Sequence, residues 1–251
     1  MTQSVLWKEL TAAELRALAA SDVVVILPVA SMEQHGPHLP VGVDTILCER
    51  ICKLAAEAVT GDMPIVVAPT LWCGMAEHHM AYGGTFTFDI PTYRAVLLAF
   101  LRSIGRHGFK RVFIVNGHGG NISALSAFLP DLAVETGLTI RVTTYFELAQ
   151  PAMPAILEDQ ERVRHACEGE TSLMMALAPD LVRQERLGDA HGPKHSTPRP
   201  IGVGHYRSYR SFSDSGVVGD ARRASKAKGE KLAIACRDAL VAVLRDRDTW
   251  R

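Results

Sequence analysis

The sequence carries no surplus of either charge: Lys plus Arg and Asp plus Glu both number 27, for a formal net charge of zero. Proteins that grip nucleic acid or acidic membranes in general depend on excess cations, so neither partner class is expected. Only the stretch from Arg199 to Arg223 is locally basic. No apolar run approaches the roughly 20 residues that a membrane-spanning helix needs. The opening residues, Met-Thr-Gln-Ser-Val-Leu-Trp-Lys, lack the basic-then-apolar form of a secretory leader. The five cysteines are odd in number, scattered and free of any CxxC spacing, which excludes a zinc knuckle and a disulfide framework. Cys48 and Cys52, four apart on an expected helix, read as small core residues. A reduced cytoplasmic protein is the expectation. Internal repeats and low-complexity tracts are also missing.

What remains is a chain of 251 residues, 47% apolar, long enough to bury a sizeable core within a single domain spanning 1–251. Buried strands are expected at Val23–Val29, Met63–Thr70, Lys110–Val115 and Leu138–Tyr145. Helices are expected from the Thr11–Glu14 capping box to Ala20, from Thr45 to Val59, from Pro91 to His107 and from Ile122 to Thr136. A further helix begins near Gly169, and a last one covers Ala221 to Arg245. This alternation predicts an α/β fold, a mainly parallel sheet between two helical layers, with the strands' carboxyl ends on one rim. The segment 186–219, rich in Gly, Pro, Ser and His, reads as a long functional loop.

Polar residues cluster just after the strands. The first loop, Ser31 to Asp44, carries Glu33, His35, His38 and Asp44 within sixteen residues of the strand that precedes it. Glu33 and His35, two apart on extended chain, point to the same side, and carboxylate with imidazole is a donor set for hard and borderline metals. Asp44 is open to two readings, a ligand or the N-cap of the next helix. After the third strand comes Asn116-Gly-His118-Gly-Gly-Asn121, without the Lys-Ser/Thr continuation of a P-loop. Its glycines clear space around His118, which suits a metal ligand or a catalytic base. His165-Ala-Cys-Glu168-Gly-Glu170-Thr-Ser adds a histidine and two carboxylates. Glu170 is either a further ligand or an acid favoured at a helix start, and Glu168 is expected to be solvated. His79, His107, His191, His195 and His205 offer no separate reason for assignment.

These segments resemble the creatininase (creatinine amidohydrolase) family along almost the whole chain. The matching stretches are Pro28 to Asp44, Glu77-His78 with Gly84-Thr85, Asn116 to Asn121, His165 with Glu170-Thr-Ser, and Gly216-Val-Val-Gly-Asp220. The resemblance implies a three-layer α/β/α fold, two divalent ions (Zn, Mn or Fe) and usually a homo-oligomer, up to a hexamer. It places Glu33, His35, Asp44 and His118 on ligand positions, with Asp44 as the bridge. Creatininase itself has a Glu two residues after the His matching His118, where this chain has Gly120. Glu170 is the expected replacement, and recovery of metal binding on supplying a Glu at position 120 in its absence would favour that substitution. His165 matches a proton carrier and is grouped with Glu170 as catalytic, while His78, Gly119 and Gly120 face the substrate.

The resulting expectation is a hydrolase that cleaves an amide-type C–N bond in a small cyclic amide or formamide, using a hydroxide bridging two metals. The alternatives are a peptidase or ring hydrolase of a cofactor precursor or keto-sugar on the same centre, and a homologue that binds metal or ligand without turnover.

Overall fold

The computed structural model describes residues 4–194 and 204–251, so His195, Arg199 and the rest of 195–203 within the 186–219 loop lie outside the described residues. Helix α1 (Ala12–Ala19) opens on the expected capping box, with Thr11 Oγ1 accepting from Glu14 N at 3.3 Å and Glu14 accepting from Thr11 N at 2.7 Å. The elements that follow are β1 (Val24–Val29), α2 (Val43–Val59), β2 (Ile65–Val67), α3 (Ile90–Arg106), β3 (Arg111–Asn116), α4 (Ile122–Thr136), β4 (Thr139–Thr144), the single turn α5 (Tyr145–Leu148), α6 (Glu168–Leu177) and α7 (Lys226–Arg245). None of the described helices is long and apolar enough to cross a membrane.

The four strands are all parallel, in the order β2-β1-β3-β4. Their side chains alternate between two helical layers, as a pleated strand requires. Val24 and Ile26 of β1 with Phe113 and Val115 of β3 face the core that includes α2, α6 and α7. Val25 and Leu27 with Val112 and Ile114 face the other core, which α3 and α4 close. Each such side chain, fully withdrawn from water, contributes about 1.5–3 kcal/mol. Helix α6 is itself buried through most of its length, because α7 crosses it closely at Gly229. A Cβ there would lie 1.8 Å from the Ser172 carbonyl oxygen, so no larger residue permits the crossing.

Two boundaries differ from the sequence reading for local reasons. The last helix starts at Lys226, after a 3-10 turn at Ala221–Arg223, because Ser225 caps it by accepting from Lys228 N. Strand β2 is only three residues long, its edge being completed by an isolated parallel bridge between Leu6 and Val67.

Strand order fixes where a site can form. The chain leaves β1 toward β2 on one side and returns across it to β3 on the other. The crevice beyond the carboxyl ends of β1 and β3 is therefore the switch point at which open α/β sheets bind ligands.

Candidate metal centre

The loops after β1 and β3 meet at that crevice, joined by the first turns of α2 and α6. Asn116, at the end of β3, fixes the second loop: its Oδ1 accepts from His118 N at 3.1 Å and its Nδ2 donates to His118 O at 2.7 Å. Asn121 ties this loop to two others, donating to Ala30 O at 3.1 Å and accepting from Met75 N at 2.9 Å. Asp44 sits inside the first turn of α2 rather than at its cap, which is Gly42. Its carboxylate therefore points into the crevice. Ala166 adopts φ +50°. This left-handed turn, unfavourable for a residue with a Cβ, brings both His165 and Glu170 into the crevice, with Glu170 Oε2 accepting from Ala166 N at 2.5 Å.

Backbone carbonyls set the tautomers of two imidazoles. A carbonyl oxygen only accepts, so the ring nitrogen facing it must carry the proton. His35 Nδ1 donates to Glu33 O at 3.0 Å and His118 Nε2 to Met75 O at 3.1 Å. Each ring's second nitrogen is thereby left as a lone pair turned toward carboxylates. His35 Nε2 lies 3.2 Å from Asp44 Oδ1 and 3.8 Å from Glu170 Oε2. His118 Nδ1 lies 3.0 Å from both Glu33 Oε2 and Asp44 Oδ2. His165 Nδ1 is 3.4 Å from Glu33 Oε1.

Lone pairs facing lone pairs at these distances repel unless a proton or a cation lies between them. Glu33 Oε2, His35 Nε2 and Asp44 Oδ2 are buried and have no hydrogen-bond partner. The proton chemistry points the same way. Burial works against a charge on His35, yet Asp44, Glu170 and Glu33 together lift its pKa to about 9. Burial likewise opposes charge on His118, and Glu33 and Asp44 outweigh it, raising its pKa. Burial would raise Asp44, but His35 and His118 hold it below the usual carboxylate range. Burial pushes Glu170 up to about 8. Without a cation, the cluster competes for protons. The donor set of carboxylate oxygens and bare imidazole nitrogens, each histidine held from behind by a carbonyl, fits divalent metal. Among the described residues, Glu33, His35 and Asp44 form one group with ligand atoms within 4.8 Å of one another, and His35, His165 and Glu170 form another.

Comparison with known proteins agrees with this geometry. Residues 8–244 match the sequence profile of the creatininase family, creatinine amidohydrolase. The chain belongs to the creatininase family. It is a hydrolytic enzyme, 31% identical to creatinine amidohydrolase of Pseudomonas putida over 98% of both chains. It is also 29% identical to a mycofactocin precursor peptide peptidase of Mycolicibacterium smegmatis, over 86% of this chain and 82% of that one. A 3-dehydro-scyllo-inosose hydrolase of Thermotoga maritima is 27% identical over 96% of this chain and 83% of its own. A crystal structure of creatinine amidohydrolase superposes with a TM-score of 0.85 at 28% identity, covering 97% of each chain. Similar creatininase structures include a Mn form (TM-score 0.81, 28% identity, 97% and 98% covered) and a mutant of Zn–Zn type (0.79, 27%, 97% and 98%).

Within this creatininase fold, Glu33, His35, Asp44, His118, His165 and Glu170 all converge. His78, Gly119 and Gly120 line the adjoining cavity of about 640 Å³. Glu168 is not solvated: it is fully buried, accepting from Glu158 N, Asp159 N (2.8 Å) and Lys228 Nζ (2.6 Å). Its place at the start of α6 turns it behind the site to hold the 158–159 turn. Three contributors have no counterpart in the sequence reading. His79 is buried, with Nε2 3.2 Å from Glu33 Oε1 and Nδ1 facing Gln34 Nε2 at 3.0 Å. Gln34 Oε1 accepts from Gly36 N, which leaves the amide NH₂ to donate and makes His79 a donor to Glu33. Gln34 stands between the two residues of the Glu-x-His pair, which was the available signal. Tyr209 packs its ring 4.2 Å from that of His79 and 5.1 Å from that of His165. No periodicity marks it, because it lies in the irregular loop.

Proposed function

We propose that residues 1–251 form a single cytoplasmic domain that uses two divalent ions to hydrolyse an amide-type C–N bond in a small molecule. The observation that carries the count of two is Asp44: one carboxylate oxygen faces His35 and the other faces His118. Asp44 would thus be the shared ligand, with His35 and Glu170 placed to hold one ion and Glu33 and His118 the other. Such ions polarise a carbonyl and make water available as hydroxide near neutral pH.

The chain's own residues do the rest. Gly119 leaves open space beside His118 for a carbonyl group, while Gly120 lets the backbone pack against the anchored side of that ring. His78 stacks near-parallel to His118, with ring centroids 5.6 Å apart, and forms one wall. His165, whose Nε2 is engaged by Gln34 O at 2.7 Å and Gln34 Nε2 at 2.8 Å, presents Nδ1 to the crevice as the atom that accepts a proton and returns it to the leaving nitrogen. Similarity to a creatinine amidohydrolase supports the C–N bond as target. The peptidase and inosose-hydrolase relatives define the alternatives, a peptide or a keto-sugar ring on the same centre. Self-association is part of the proposal and is read by light scattering.

The test is a panel of lactams, formamides and short peptides offered to metal-reconstituted protein, with metal content measured in parallel. Turnover of a lactam or formamide with about two ions per chain is expected. Turnover restricted to peptides would replace the reading by the peptidase alternative, and metal binding without any turnover by the non-catalytic one.

A further inference from the structure

The cavity above the ligand cluster is lined by three arginines from two separate segments: Arg162 and Arg164, just ahead of His165, and Arg207, in the loop that carries Tyr209. We propose that the substrate bears an anionic group, a carboxylate or a phosphate, which Arg162 and Arg164 bind at the cavity mouth while the scissile bond lies over the ligand cluster. The proposal rests on the hydrolase reading above and adds to it the charge of the substrate.

Arg94, Arg111, Arg186, Arg222 and Arg245 each have a carboxylate partner. Arg162 and Arg164 form no ion pair among the described residues, although they flank Val163, which anchors the segment in the core. Nor does the 195–203 segment offer a partner, since none of its residues is Asp or Glu. Arg50 and Arg106 also form no ion pair among the described residues, so it is placement on the cavity wall that sets Arg162 and Arg164 apart. Among the described residues, the cavity wall outside the ligand cluster holds one carboxylate, the exposed Glu147, beside Arg162 and Arg164. The third, Arg207, lies with its Cζ 5.5 Å from the centre of the Phe212 ring, which keeps it against the wall. Arg164 is half-buried on this wall.

A planar guanidinium offers parallel N–H donors that match carboxylate and phosphate oxygens. Arg162 is exposed and Arg164 half-buried, so a neutral substrate leaves both guanidinium groups to water while an anionic one engages them. The cavity, about 640 Å³, is also larger than a bare lactam needs. A remote charged handle fits the remaining space, and its binding energy orients the reacting bond.

Matched probes test this on the metal-reconstituted protein. Dihydrouracil is paired with its 6-carboxylate, dihydroorotate, and N-formylglycinamide with N-formylglycine; inorganic phosphate serves as a bare anion. Dissociation constants are measured by calorimetry and kcat/KM wherever turnover occurs, for wild type, Arg162→Gln/Arg164→Gln and Arg162→Lys/Arg164→Lys. The anionic member of at least one pair is expected to bind about tenfold or more tightly than its neutral partner, as one charge-assisted contact allows. That ratio should collapse in the Gln variant and fall only partly in the Lys variant, which keeps charge but loses the fork. Whichever anion, carboxylate or phosphate, loses more affinity in the Gln variant identifies the handle. Equal or weaker binding of the anionic members by wild type, no binding of any anion, or an unchanged ratio in a folded Gln variant overturns the proposal. The wild-type comparison decides even if the Gln variant fails to fold. Turnover of neutral members without anion preference would leave the hydrolase reading standing alone, whereas arginine-dependent anion binding without turnover of any amide would remove that reading and keep the anion site.

Discussion

A Cβ on residue 120 would lie 2.3 Å from Nε2 of His118, the nitrogen that donates to Met75 O. The Met75 carbonyl oxygen itself would be 2.4 Å away. Neither is the loose end of a flexible side chain, so any side chain at 120 must move the ring or its anchor. Gly120→Ala is therefore expected to cost about 1–3 kcal/mol through overpacking and to lower metal content. A Glu at 120 as a substitute for Glu170 must accommodate this crowding, which argues against recovery of metal binding. Gly120→Glu placed in the Glu170→Gln background should deplete metal further, as elemental analysis would register.

The two oxygens of Asp44 address different imidazoles, whereas His35 offers one inward nitrogen. Asp44→Ala should consequently remove both ions and His35→Ala mainly one. Metal stoichiometry after dialysis reads the difference directly. A variant lacking Asp44 that still holds a full complement would show that Asp44 does not bridge.

Much of this architecture was legible before any coordinates. Val24–Val29 and Arg111–Asn116 are apolar on both faces, the mark of a strand covered on both sides. Glycines and a proline isolate Glu33, His35 and His118 in loops just beyond such strands. Other features depend on contacts distant in sequence. Glu168 is buried because the 158–159 turn and Lys228 fold over it, and no helical pattern announces partners 9 to 60 residues away. His79 and His78 are neighbours of the same type; only the 3-10 turn Glu77–Tyr82 decides which ring is buried against Glu33 and which lines the cavity. His38 sits in the same loop as the ligands, but bonds Thr171 Oγ1 at 2.7 Å and braces α6 instead.

His79 supplies a prediction of its own. It donates to Glu33 Oε1, the oxygen not aimed at His118, and so orients the carboxylate from behind. Removing such an outer partner of a ligand usually costs about 10–100-fold in metal affinity. His79→Ala should show that loss in chelator competition at the ion held by Glu33 and His118, while the ion held by His35 and Glu170 is retained more tightly. Unchanged affinity at both would mean that Glu33 needs no orienting donor.

Glu168 and Glu170, two residues apart in the first turn of α6, should fail in different ways. Glu168 accepts two backbone N–H groups and the Lys228 ammonium, all with the carboxylate fully buried. A Gln there turns one acceptor into a donor that faces donors, and Lys228 keeps only Glu158, 2.7 Å away, as a carboxylate partner. Losing a buried, charge-assisted bond of this kind costs about 2–3 kcal/mol. For a chain of this size that corresponds to a fall in Tm of roughly 5–10 °C. Glu170 has a different setting, one backbone donor and a lone-pair-bearing imidazole nitrogen at 3.8 Å. With its pKa pushed up to about 8, Glu170 is largely protonated in the metal-free protein near neutral pH, so the neutral side chain of Glu170→Gln should cost little stability. Its metal affinity should instead drop by about 10–100-fold. Thermal melts with and without chelator, set beside competition-derived metal affinities, separate the two behaviours. A Glu168→Gln protein that melts at the wild-type temperature would show that the cradle stabilises nothing, and native metal affinity in Glu170→Gln would return that carboxylate to the role of an acid at a helix start.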